Sequence, residues 1–384
     1  MKTEQKYHSI FILSLAIYLL MMPFDFMSII PNVSLSKILI AVPLLGAVLD
    51  INSFGKLKVK SLYTLLYPLA IFVSMLFSID FNGSLDRLVS VALNVGLIIF
   101  LASRRYMAKE LEVVYAAVGL SGWLLVIMCI IFSEVSSDGR LTVMINGESQ
   151  DPNYLCGFLI LPTCYYLFRF LQDRKLFGII SVVAFAVVVF LTGSRGGTLA
   201  VLTAVVVLLF KMASGSRKKM WNSIGFLVLV AIFVIIIWDY LPEEITIRFS
   251  SEFNEEDQGS HRIEIWESLL KHFANRPFSG QLFGTGASTV VLYSAYNYVA
   301  HNVFIEALAE MGALGLILIG GMYMYYGVQA WREKRTFVFP AFVGYMIMCL
   351  TMSLYNYKPI WNLLLIIVIS FNVTSEEHEY DYCM

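Results

Sequence analysis

Long apolar runs separated by short polar breaks set the pattern of this chain. The runs lie near residues 8–30, 34–50, 61–79, 86–102, 111–132, 152–169, 176–192, 197–211, 221–238, 301–327, 336–354 and 358–373. Each reads as a helix, because a backbone in hydrocarbon must satisfy its own N–H and C=O groups and about 20 apolar residues reach across roughly 30 Å. Several runs are short for a full crossing, which leaves their ends soft by a few residues; twelve is the natural count. The pattern predicts an all-α polytopic membrane protein, with one transmembrane domain over residues 1–373. One interval breaks the rhythm: residues 239–300 form a large polar loop between the ninth and tenth runs. Inside it, residues 260–274 place Ile263, Trp266, Leu269, Leu270 and Phe273 at helical spacing. Ser260 stands at the N-cap position, and Asn275-Arg276-Pro277 supplies the stop. This short amphipathic helix is expected to rest on the bilayer or to cover the mouth of a cavity.

Composition strengthens the membrane reading. Charged residues are 14% of the chain and apolar residues 58%, with mean hydropathy +0.74, against about 25% and roughly 45–50% in soluble domains. The first run has no small-residue cleavage site and is read as a retained helix rather than a signal peptide. The net charge of −1 says little, but its distribution orients the chain. With the N-terminus in the cytoplasm, eighteen of the 27 Lys and Arg residues fall on inner loops, as the positive-inside rule requires. The other nine are external: Lys37, Arg87, Arg140, Arg195, Arg248, Arg262, Lys271, Arg276 and Lys358. On this map residues 239–300 are extracytoplasmic, and the acidic tail, 374–384, ends in the cytoplasm.

The five cysteines fall singly, with no CxxC and no Cys/His cluster, so neither a metal site nor a disulfide framework is indicated. No concentrated basic surface interleaved with aromatics points to nucleic acid. No internal repeat supports a transporter built from two related halves.

Four polar strings gather on the external side. The first is Thr192-Gly193-Ser194-Arg195-Gly196-Gly197, where glycines permit close backbone approach and a helix start would present N–H groups beside a guanidinium. That pairing suits phosphate or pyrophosphate; an arginine snorkelling to the headgroups fits equally well. The second is Gln150-Asp151-Pro152-Asn153. Helix capping explains Asp151 and Pro152 cheaply, while the Asn153 amide suits a hydroxyl-rich ligand. The third is Arg262 beside His261. A cation at a helix start runs against the dipole, so Arg262 is either kept for an anion or solvated on an open face. Arg248 and Arg276 are read as neutralising loop carboxylates.

The fourth string is His301-Asn302 followed by Glu306 and Glu310. His301 is either a general base near neutral pH or a structural hydrogen-bonding group. Asn302 and Glu306 share a helix face that runs into the span, where an ionisable residue is a functional hypothesis by default. Glu310 continues that face as a further functional group or an internal structural pair.

In their order along the chain these strings resemble the O-antigen ligase and oligosaccharide-polymerase family of bacterial envelope proteins. The resemblance rests on Asp151-Pro152-Asn153, the Thr192–Gly197 string, the stretch from Arg262 through Trp266 to Pro277, and His301-Asn302 with Glu306, Glu310, Gly312 and Gly315. It implies a glycosyltransferase of the inner membrane, working on the extracytoplasmic side without metal or cofactor. The donor it implies is an undecaprenyl-pyrophosphate-linked glycan, and the acceptor a second glycan. Polymerisation of repeat units into O-antigen, capsule or exopolysaccharide is the favoured activity, and ligation to lipid A-core is the alternative. The resemblance makes Arg195 and Arg262 pyrophosphate or glycan contacts and His301 the candidate to activate the acceptor hydroxyl. Asp151, Asn153 and Ser194, with Arg248, Arg276, Asn302 and Glu306, complete the expected substrate-binding set. Membrane lipids, a chain-length regulator and a repeat-unit flippase are the implied partners. A lipid-linked sugar transporter and a non-catalytic assembly factor are the competing classes.

Overall fold

The computed structural model describes residues 2–30, 33–136, 139–214, 243–249, 261–333 and 335–373, with isolated positions between 221 and 236. Most of the ninth apolar run, the first part of the 239–300 loop and the 374–384 tail lie outside the described residues, as does Ser260. The helices in chain order are α1 (Lys2–Leu20), α2 (Leu35–Leu39), α3 (Ala41–Leu49), α4 (Val59–Leu62), α5 (Leu66–Met75), α6 (Phe81–Ala102), α7 (Ala108–Phe132) and α8 (Pro152–Asp173). They continue as α9 (Leu176–Leu191), α10 (Arg195–Ala213), α11 (Glu243–Arg248), α12 (Arg262–Ala274), α13 (Phe278–Phe283), α14 (Val303–Arg332), α15 (Val338–Cys349) and α16 (Lys358–Ser370). Among the described residues five of these, α6, α7, α8, α10 and α14, are long and apolar enough to cross a membrane. Shorter apolar helices occupy the other described runs.

Helix α10 packs between α8 and α15, and α8 also meets α7 and α9. On another side α14 packs on α5, and α1 on α3 and α7. Helix α16 is buried continuously from Lys358 to Ile369, with α6, α8, α14 and α15 around it. Its sequence explains that place: a helix apolar on every side has no face to offer water and belongs inside a bundle.

The two ends of the bundle are stitched separately. At one end the Ile79 N–H donates to Thr285 O (3.1 Å), Arg140 Nε to Thr192 O (2.9 Å) and Tyr154 Oη to Ser353 O (2.9 Å). At the other, Gly55 N–H donates to Ser103 O (3.0 Å) and Tyr106 N–H to Asn372 O (3.1 Å), while Tyr326 Oη donates to Lys60 O (2.9 Å). Buried Arg104 is held there by Asp50 (2.7 Å) and Glu110 (2.8 Å). Each of these links joins segments that the basic-residue pattern assigns to the same membrane face.

The short segment between α7 and α8 folds as a three-stranded antiparallel sheet, β3 (Ser133–Val135), β4 (Leu141–Ile145) and β5 (Glu148–Gln150), after a small β1–β2 pair (Ser28–Ile30 and Val33–Ser34). Asn146 and Gly147 turn β4 into β5, both at positive φ (55° and 82°). That backbone suits a tight hairpin, and Asn-Gly is the dipeptide that adopts it most readily.

The amphipathic segment forms α12, starting at Arg262 after a left-handed His261 (φ 57°). Ile265 and Leu269 face inward and build a small second core with Val290, Ala300 and Ala309. Beyond it, α14 is broken at Gly312, whose φ of 68° leaves the helical region. The break frees the Glu310 carbonyl, which accepts from the Thr285 (2.9 Å) and Gly286 (3.0 Å) N–H groups. A Cβ at Gly312 would lie 2.5 Å from Leu282 O, so the loop seats against the span only because no side chain stands there.

Candidate functional site

A cavity of about 450 Å³ opens where the β3–β5 sheet, the starts of α8 and α10, helices α11 and α12, and the residues before α14 converge. Its chemistry is cationic: Arg140, Arg195, Arg248 and Arg262 line it, with Asp151 the carboxylate in the wall. Asn153, Ser194, Trp266, Tyr298 and His301 complete most of the lining.

Local capping builds one side. Asp151 accepts from the Asn153 N–H (2.6 Å) and so caps α8, with Pro152 in the first turn. Ser194 accepts from the Gly197 N–H (3.0 Å) and caps α10. Its hydroxyl donates to Asn153 Oδ1 (2.7 Å), which also accepts from Arg140 Nη2 (2.9 Å). Asn153 Nδ2 donates back to Asp151 (2.8 Å). The amide therefore serves as a hub joining two helix starts and the sheet, with one N–H left for other partners. Gly193, at φ 57°, makes the turn before α10, and its carbonyl accepts from Arg248 Nε (3.3 Å). Arg195 is thus the first residue of a helix whose start lines the same cavity as the other three guanidiniums. That combination attracts phosphate oxygens strongly, since planar guanidiniums bind them in pairs and the helix start adds partial positive charge.

His301 closes the opposite side, with a left-handed backbone (φ 47°) immediately before α14. Burial pushes its pKa below the ordinary histidine value of 6.5, and the Arg262 charge pushes the same way; Asp151 and Glu306 oppose them. Its Nδ1 is buried and finds no partner among the described residues. A neutral imidazole in this setting is able to take a proton. Trp266 is fixed by an Nε1–H bond to Ala300 O (2.7 Å).

Of the residues singled out from sequence, Arg195, Arg262, His301, Asp151, Asn153, Ser194 and Arg248 meet at this cavity. Arg276, Asn302 and Glu306 are not among its lining residues. Arg276 donates to Ala309 O and lies 5.3 Å from the Tyr293 ring. Asn302 caps α14 through the Phe304 (3.0 Å) and Ile305 (3.1 Å) N–H groups. Glu306 and Glu310 are buried against Arg87 of α6, with Glu306 at 3.2 Å and Glu310 in closer contact. Tyr355 lies across the guanidinium at 4.1 Å. Sequence reasoning placed Arg140 outside the membrane but gave it no role. The signal was the Asn146-Gly147 turn, which folds the segment into a sheet and carries Arg140 to the cavity wall. Among the described residues no group of three or more His, Cys, Asp or Glu side chains is arranged to hold a metal ion.

Residues 180–320 match the family model described as O-antigen ligase. The matched stretch contains the Gly193–Gly197 turn, Arg248, Arg262, His301 and the broken start of α14; Arg140, Asp151 and Asn153 precede it. No curated protein matches the chain. The chain is thus similar to the O-antigen ligase family through residues 180–320, which help to build the cationic cavity.

Proposed function

We propose that this protein polymerises lipid-pyrophosphate-linked oligosaccharide repeat units at the extracytoplasmic face of the bacterial inner membrane. The observation that carries the reading is the convergence of Arg140, Arg195, Arg248, Arg262 and His301 at one cavity. The basic loops expected inside lie at the other end of the bundle, which supports an extracytoplasmic cavity.

In the proposed reaction an acceptor sugar hydroxyl attacks the anomeric carbon of the donor glycan. The new C–O bond forms as the bond from that carbon to the phosphate oxygen breaks, and the electron pair leaves on undecaprenyl pyrophosphate. His301 takes the hydroxyl proton. Negative charge concentrates on the departing diphosphate, so guanidiniums already aimed at it bind more tightly as the bond breaks and lower the barrier. Arg195 and Arg262 are the proposed diphosphate ligands; Asp151, Asn153 and Ser194 hold Arg140 and the start of α10 in place. Arg248 adds charge from α11. Arg276, Asn302 and Glu306 act indirectly, by fixing the loop and α14 behind His301. The activated donor supplies the energy, and neither cofactor nor metal enters the scheme.

The test is purified protein with a synthetic lipid-linked repeat unit as sole substrate. A ladder of oligomers and released undecaprenyl pyrophosphate are expected. Transfer only when lipid A-core is added identifies a ligase instead, and movement of intact lipid-linked sugar without bond exchange identifies a transporter.

A further inference from the structure

The turns around the cavity carry left-handed backbone at four side-chain-bearing residues. Among the described residues, His261 (φ 57°), Tyr296 (φ 64°), Asn297 (φ 56°) and His301 (φ 47°) all adopt left-handed conformations, and none is glycine. Such conformations cost side-chain-bearing residues free energy and persist where the surrounding structure enforces them, often at binding sites. Two tyrosines on this segment are exposed. Tyr298, 62% exposed, lines the cavity mouth, and Tyr296, 55% exposed, stands beside it. The Tyr296 hydroxyl donates to Glu264, and its ring lies 5.1 Å from the His261 imidazole. Trp266, held by its bond to Ala300, lines the same cavity as Tyr298 and the arginines.

We propose that Tyr298 and Tyr296, with Trp266 behind them and Glu264 at the edge, form a sugar-binding subsite that stacks a pyranose ring of the glycan as it enters the cavity. The inference deepens the transferase reading and rests on it for the identity of the glycan. The axial C–H groups of a pyranose are weakly positive and apolar, and they match the negative face of an aromatic ring. In this subsite the Glu264 carboxylate, already an acceptor for the Tyr296 hydroxyl, also accepts from a sugar hydroxyl. A membrane-interface role is the competing explanation for exposed tyrosines. It accounts for neither the strained turn nor a tyrosine lining the arginine cavity.

The test separates this subsite from the reaction. The probe is the free repeat-unit oligosaccharide, released from its lipid by mild acid, and the protein is the full chain in detergent. Binding is read by saturation-transfer NMR, which needs no turnover. Tyr298→Ala is expected to weaken binding about tenfold, and Tyr298→Trp to restore it. Equal binding by wild type and Tyr298→Ala, or no binding by wild type, overturns the proposal. So does a Tyr298→Ala variant that binds normally in detergent and loses activity only in nanodiscs, since that marks an interfacial anchor. Aromatic-dependent binding without any ladder of oligomers leaves the subsite standing and removes the polymerase reading.

Discussion

At the residue scale, His301 is set by opposing neighbours. Burial and Arg262 hold its pKa down, while Asp151 pulls it up. The acid limb of kcat/KM is therefore expected below pH 6.5, with His301 neutral above it. Asp151→Asn retains a good helix cap but removes the charge that favours the imidazolium. Its acid limb should move to still lower pH in a pH–rate profile; an upward shift removes His301 as the titrating base. Replacement of Arg195 or Arg262 by alanine is expected to lower polymer formation by on the order of 10²–10³-fold, with protein level normal on immunoblots. Wild-type chain lengths in both variants would refute the anion site. The strings carrying these residues were conspicuous in the sequence because charges and glycines are rare beside long apolar runs. Arg140 was not, since only the sheet brings it to Asn153. Nor did the sequence show that Glu306 faces Arg87, because helical spacing gives a residue's own face but not which helix lies opposite.

At the scale of elements, the break in α14 fixes how the loop meets the membrane. Gly312 lies at φ 68° with the Leu282 carbonyl against its open side. Gly312→Ala is expected to cost about 1–2 kcal/mol from backbone conformation alone, and the contact with Leu282 adds to it. The measurement is a thermal unfolding scan in detergent, where a clear fall in Tm should accompany loss of activity. An unchanged Tm shows that the helix tolerates a continuous path. The helix was legible from its period and its Asn-Arg-Pro stop, but its buried face was not: Ile265 and Leu269 pack into the loop's own small core, while Ile263 and Leu270 of the expected apolar face are exposed. The Gly312 break was not legible: four other glycines follow within the same helix without changing its backbone direction to left-handed.

Across the whole molecule, apolar runs and basic clusters made the membrane class and the two-ended arrangement readable. Lateral order was not, because hydrocarbon-facing and helix-facing positions are both apolar, and α16 reveals its central place only once its neighbours surround it. Orientation is testable by labelling. In a Cys383→Ser background, Glu148→Cys should react with a membrane-impermeant thiol reagent on intact cells, and Lys56→Cys only after permeabilisation. The reverse result inverts the topology and moves the cavity to the cytoplasm.

The carbonyl released at Gly312 has one more consequence. Because it accepts from Thr285 and Gly286, two loop amides belong to the same hydrogen-bonded unit as a buried helix. They can open only when α14 opens there, so their stability is that of the bundle and not of a surface segment. In hydrogen–deuterium exchange the 284–287 peptide should remain protonated as long as the first turns of α14. Exchange at the speed of the exposed β4–β5 turn would show that the two are mechanically separate.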